Sequence, residues 1–182
     1  PMQDSEAISY VGIDNVKASE QAVKHLIFSG RRRIGTITGT MNNVDSQDRL
    51  TGYTQALSST GIAIDQKLII KGGFSREWGY NGMKALLQQQ VDAVFAASDL
   101  IAVGALQAIQ DAGLRVPDDI AVVGFDDLPI ATQSKPALTT VRQPIAEKAA
   151  QATSVLLNLI ERRMEAPVQI LLPTQLIIRE SS

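Results

Sequence analysis

Residues Phe95 to Asp127 read FAASDLIAVGALQAIQDAGLRVPDDIAVVGFDD. The stretch has the form strand, helix, strand, with an acidic residue at the end of each strand. Val94–Ala97 is a short apolar run, and Asp99 stands where a helix N-cap belongs. Leu100–Ala112 has helical composition, and Gly113 suits the position just past a helix end. Ile120–Gly124 is a second apolar run, followed at once by Phe125, Asp126 and Asp127. Ligands of open parallel sheets bind at the carboxyl ends of the strands. Asp99 and Asp126 therefore point toward one site.

The same alternation extends both ways. Strands are expected at Ile8–Ile13, Arg33–Thr38, Lys67–Lys71, Leu138–Val141, Val168–Leu172 and Gln175–Ile178. Helices are expected at Ala18–Phe28, Gln47–Ser59, Ser75–Gln89 and from Pro144 to about Arg163. Strands alternating with helices predict an α/β fold with a doubly wound parallel sheet. Apolar residues surround the helix after Asp99 almost completely, where a surface helix shows a single stripe. Either its own domain buries it, or one face meets the sheet and another meets a second subunit.

With 182 residues, the chain can bury one good core or two small lobes. A net charge of −2 and a pI near 5.4 leave no basic footprint for nucleic acid. Arg31–Arg33 is the only basic run and reads as a solvated turn. The chain has no cysteine, which excludes disulfides and thiolate metal sites and fits a reducing cytoplasm. No apolar stretch approaches the roughly 20 residues of a membrane span. The first ten residues lack the pattern of a signal peptide, and an opening Pro1 suggests a fragment.

Dinucleotide, P-loop and nucleophile-elbow motifs are absent. His25 is the only histidine and reads as a surface or boundary residue. No set of side chains has metal-ligand spacing, so neither a metal nor a cofactor is expected. Without a nucleophile–base pair, an enzyme is not expected either. What remains is a binding constellation. Asn43, Asp45 and Arg49 follow the strand ending at Gly39, Phe74 follows the next, Ser98 and Asp99 the third, and Asp126 the fourth. Carboxylates accept hydroxyl protons, a guanidinium donates a planar fork, and an aromatic ring covers the C–H face of a sugar. The set suits a small polyhydroxylated ligand. Asp99 and Asp45 could equally be helix caps, and Phe74 could be core.

The order and spacing of several segments carry a resemblance. They are Ile13-Asp14-Asn15, His25-Leu26 through Gly30–Ile34, Arg49–Tyr53, Ala93–Asp99, Gly113–Asp119, Val123–Asp127, Pro136–Pro144 and Leu172 to Ser182. The chain resembles the ligand-sensing domain of lactose-repressor-type transcriptional regulators, which share the fold of periplasmic sugar-binding proteins. The resemblance implies two α/β lobes joined by three crossovers, near Asp14-Asn15, Gln143 and Leu172-Pro173. Residues 15–142 and 173–182 would form the C-terminal, effector-binding lobe. Residues 1–14 and 143–172 would be remnants of the N-terminal lobe, and the DNA-binding head would be missing.

The resemblance further implies Arg49, Phe74 and Asp126 as the foremost effector contacts, with Asn43, Asp45, Ser98 and Gln143 beside them. Sugar-binding relatives often carry Asn at Ser98, which suggests a different ligand or a bridging water here. The implied partners are a small carbohydrate effector and a second copy of the chain, docked through Ile101, Val103 and the loop near Ser134. Operator DNA would be met only through the missing head, and no membrane is involved. A transport-associated solute-binding protein is the alternative with the same fold. The helix after Pro144 carries an apolar face with little in this chain to cover it, which predicts self-association or a mobile helix.

Overall fold

The computed structural model describes residues 8–182. Residues 1–7, read above as part of the smaller lobe and as lacking a leader pattern, lie outside the described residues. The described residues divide into two compact units: unit 1 takes in residues 8–14 and 143–174, and unit 2 residues 15–142 and 175–182.

Unit 2 is a six-stranded sheet clothed in helices. Its strands are β2 (Ile34–Ile37), β3 (Ile69–Ile70), β4 (Ala93–Ala96), β5 (Ala121–Asp126), β6 (Thr139–Arg142) and β8 (Gln175–Ile177). They lie in the order β3-β2-β4-β5-β6-β8. All neighbours are parallel except β8, which returns antiparallel to β6 with Arg142 opposite Gln175. The helices are α1 (Asn15–Phe28), α2 (Val44–Ser59), α3 (Arg76–Leu87), α4 (Asp99–Asp111) and the short α5 (Pro129–Gln133). From β2 the chain steps outward through α2 to β3, then doubles back through α3 to β4. Right-handed crossovers therefore put α2 on the face opposite α3 and α4. The strand order reverses between β2 and β4, where an open sheet splays and accepts a ligand.

Most expected elements are present, and the differences have local causes. β3 is only two residues long. The Asp65 carboxylate accepts from the Lys67 amide and starts a 3-10 turn over Gln66–Leu68 instead. α5 was not expected, because five residues carry too little periodicity to read. In helix α4 the structure corrects one expected contact, Ile101. Ile101, Ala102, Ala105, Ala108 and Ile109 are buried, and α3 packs beside α4. The approach is close because Gly79 and Gly104 face the partner backbone. A Cβ on Gly79 would run into the Ile101 carbonyl oxygen, and one on Gly104 into that of Arg76. A neighbouring helix of the same unit thus buries part of α4, while Leu100 stays exposed and Val103 half-buried. Ile101 is 0 % exposed, so its side chain serves this core and cannot reach another copy. Val103 and Ser134 are half-buried, and the Ser134 hydroxyl donates to the carbonyls of Ala131 and Pro136.

Unit 1 holds a two-stranded parallel sheet, β1 (Tyr10–Ile13) beside β7 (Gln169–Leu172), with α6 (Ile145–Ile160) packed on it. Only Val155 of α6 is buried, whereas Ile145, Leu156, Leu157 and Ile160 are exposed. Tyr10, Val11, Ala152 and Leu156 line a shallow apolar groove. Few buried contacts mean low local stability. The backbone amides of α6 are expected to exchange with solvent at least about 10-fold faster than those of α4, equivalent to about 1.4 kcal/mol. Hydrogen exchange resolved by residue checks this, and equal protection of the two helices would contradict it.

Candidate functional site

The residues singled out by sequence gather at the carboxyl ends of β2, β4 and β5, all within unit 2 save one. Gln143 belongs to unit 1, where its side-chain oxygen accepts from Lys148 Nζ at 3.5 Å.

Arg49 is the centre of the cluster. It lies in the second turn of α2 and is 5 % exposed. Its Nε donates to Asn15 Oδ1 at 2.9 Å, and its Nη1 donates to the Ala97 carbonyl at 2.6 Å, just past β4. The same Nη1 reaches Asp126 Oδ1 at 3.5 Å. The guanidinium carbon stands 3.7 Å from the centroid of the Phe125 ring, a cation–π stack. Burial draws the guanidinium below its ordinary pKa, while Asp126 first, then Asp45 and Asp99, oppose that shift. Arginine stays charged throughout.

Asp126 ends β5 with φ at +117°, and Asp127 follows at +56°. Two non-glycine residues in succession at positive φ are costly and persist only where neighbours hold them. Asp127 is held by ion pairs, its two oxygens accepting from Arg142 Nε and Arg179 Nη2 at 2.6 Å each. Burial works to raise its pKa, but these two hydrogen bonds outweigh it and keep the carboxyl below the usual range. Asp127 is thus structural, and it anchors the turn from which Asp126 projects.

Asp99 is not the helix cap. The cap of α4 is Ser98, whose hydroxyl accepts from the Ile101 amide at 3.3 Å. Asp99 is the next residue, 0 % exposed, and ties two segments together. Its Oδ1 accepts from the Thr140 hydroxyl at 2.6 Å and its Oδ2 from the Leu128 amide at 2.7 Å. Gly124 makes room for this carboxylate, since a Cβ there would stand 2.6 Å from Oδ1. Burial pushes the Asp99 carboxyl up to about 7 against the two hydrogen bonds it accepts. The sequence could not separate the two neighbours, because serine and aspartate both cap helices well.

Asn43 caps α2, accepting from the Ser46 amide at 3.2 Å, and is exposed. Asp45, in the first turn, accepts from Asn15 Nδ2 at 3.0 Å. The Phe74 ring lies over the end of β2, where Gly39 lets it meet the backbone; a Cβ there would strike the ring. Phe74 is half-buried against the core and keeps part of its surface open.

Sequence reasoning missed Asn15, Thr140, Arg142 and Arg179. Asn15 stands at an expected crossover just after a strand, and only the folded chain brings it to Arg49. Chemically the cluster offers two carboxylate acceptors, one guanidinium fork and one aromatic face. No group of three or more possible metal ligands occurs among the described residues.

This arrangement at the switch point of a doubly wound sheet is that of a small-molecule binding domain. Residues 23–182 match the periplasmic binding protein-like domain, and the chain belongs to that family. It is 41 % identical to the HTH-type transcriptional regulator CelR of Thermobifida fusca, over 97 % of this chain and 52 % of that protein. It is 42 % identical to the ribose operon repressor of Haemophilus influenzae, over 88 % of this chain and 49 % of the repressor. A solved complex of CelR with cellobiose superposes with a TM-score of 0.95 at 41 % identity, covering 97 % of this chain and 55 % of that one. The chain spans about half the length of the curated relatives it matches. No helix among the described residues is long and apolar enough to cross a membrane.

Proposed function

We propose that the chain is the effector-binding part of a bacterial transcriptional regulator, and that its effector is a small neutral sugar or related polyol. The carrying observation is the nearly buried Arg49–Asp126 pair at the carboxyl ends of the strands, with Asp45 close to Arg49 and half-buried Phe74 over the end of β2. Relatives named as a transcriptional regulator and as a ribose operon repressor support a regulator over a transport receptor. A non-enzymatic role in the cytoplasm agrees with them. Operator DNA and a second copy of the chain are the partners of this reading, the copy meeting the face around Val103 and Ser134. The effector acts by differential affinity for two arrangements of the protein, and shifts their populations by no more than that difference.

The charge balance narrows the ligand. One guanidinium already paired to Asp126 stands among the carboxylates of Asp45 and Asp126. An anionic ligand would meet repulsion that Arg49 offsets only in part. Calorimetric titration is expected to show cellobiose or D-ribose binding at least about 10-fold more tightly than ribose 5-phosphate or gluconate, about 1.4 kcal/mol. Tighter binding of the anionic compounds would overturn the assignment.

A further inference from the structure

Asn15 is the first residue of α1 and the first of unit 2. It is 3 % exposed, and both ends of its amide are engaged. Oδ1 accepts from Arg49 Nε at 2.9 Å, and Nδ2 donates to Asp45 Oδ1 at 3.0 Å. One planar group therefore grips a guanidinium and a carboxylate presented by two successive turns of α2. Helix α1 cannot slide away from that position. It packs against α2 at Gly52, where a Cβ would run into the Val16 carbonyl oxygen.

We propose that Asn15 is a positioning residue, setting the mutual geometry of Arg49 and Asp45 that the ligand meets. This rests on the sugar site proposed above. The chemistry at residue 15 is demanding: an acceptor must face Arg49 and a donor must face Asp45 on the same trigonal head. A carboxylate has acceptors only and would set a like charge against Asp45. Alanine leaves the Arg49 Nε–H buried and unpaired, and an unmade hydrogen bond of a charged group is expensive. Arg49 would still donate to the Ala97 carbonyl and stack on Phe125, so it would stay in place but lose its fixed rotation.

Two readouts test this. The first is the hydrogen exchange of the arginine Nε–H groups by nitrogen-15 NMR, with the Arg49 signal assigned by its loss in Arg49→Lys. Asn15→Ala is expected to speed exchange of that proton by about 10-fold or more, with the thermal midpoint showing the chain still folded. The second is a double-mutant cycle read by titration with cellobiose and with D-ribose. Asn15→Asp is expected to weaken binding about 10-fold in the wild-type background but less than about 3-fold when Asp45→Asn is already present. In the double variant the new amide can donate to the new carboxylate and restore the pattern in reverse. Unchanged exchange in Asn15→Ala, or an equal cost of Asn15→Asp in both backgrounds, would overturn the proposal. If folded Arg49→Lys binds these sugars as well as wild type, or neither sugar binds at all, the sugar site is what fails. The exchange result then still decides whether Asn15 holds Arg49.

Discussion

Replacing Asp126 by glycine is expected to weaken sugar binding about 100-fold while leaving the thermal midpoint nearly unchanged. The loss follows from two hydroxyl protons that a carboxylate can accept, each worth about 1.5 kcal/mol when the acceptor is charged. The small effect on stability follows from two opposed terms. Asp126 sits at φ +117°, where glycine rests without strain, so the substitution relieves something of order 1 kcal/mol. It also removes the ion partner of Arg49, which is 5 % exposed and keeps its bonds to Asn15 and Ala97. That loss is of the same order. Alanine at the same position keeps the backbone strain and loses the pairing, so Asp126→Ala should be less stable than Asp126→Gly yet bind no better. Differential scanning calorimetry beside titration separates the two quantities. Full sugar affinity in a folded Asp126→Gly chain would move the binding site elsewhere. A midpoint lowered by about 10 °C would make Asp126 a structural residue, since about 1 kcal/mol shifts a chain of this size by only about 2–4 °C.

A carboxylate directly after the apolar run Ala121–Phe125 is hard to explain by burial, and that makes Asp126 legible as a candidate contact. Nothing in the letters marks its positive φ, because strain is a property of the closed turn and of the Asp127 ion pairs that hold it. The strand–helix alternation was legible because each apolar run is short and each helix carries its own cap or stop, as Asn43, Ser75 and Ser98 do here. The burial of α4 on two sides was legible as well, but not what covers it. Apolar periodicity reports that a face is hidden and is silent on whether α3 or another molecule hides it. Gly79 and Gly104 were the available signal, since small residues facing each other permit close helix approach. Asn15 carried none, for its role depends on α1 and α2 lying side by side.

Asp99 yields the other large effect, and it is one of pH. The unfolded chain releases the Asp99 proton near the ordinary aspartate value, 3.8, and the folded chain near 7. The folded state therefore binds that proton more tightly. The stability contributed by this group is fully present below pH 3.8, declines as pH rises, and is gone once pH passes about 7. The window spans about three units, so the decline is at most about 4 kcal/mol, at about 1.4 kcal/mol per unit. Asp99→Asn removes the titration and keeps the shape. Its amide can accept from the Leu128 amide and donate to the Thr140 hydroxyl, the two partners the carboxylate now ties. Wild type is expected to lose at least about 5 °C in midpoint relative to Asp99→Asn between pH 5 and pH 8, on a scale of about 2–4 °C per kcal/mol. The comparison cancels His25, whose pKa burial lowers and whose contribution runs the other way, being lost as pH falls. It also keeps fixed the charges that surround Asp99, namely Asp126 and Asp127 on the adjoining turn and Arg49 on α2. Parallel midpoint curves for the two proteins would mean that Asp99 stays ionised across this range. Its two accepted hydrogen bonds would then outweigh its burial.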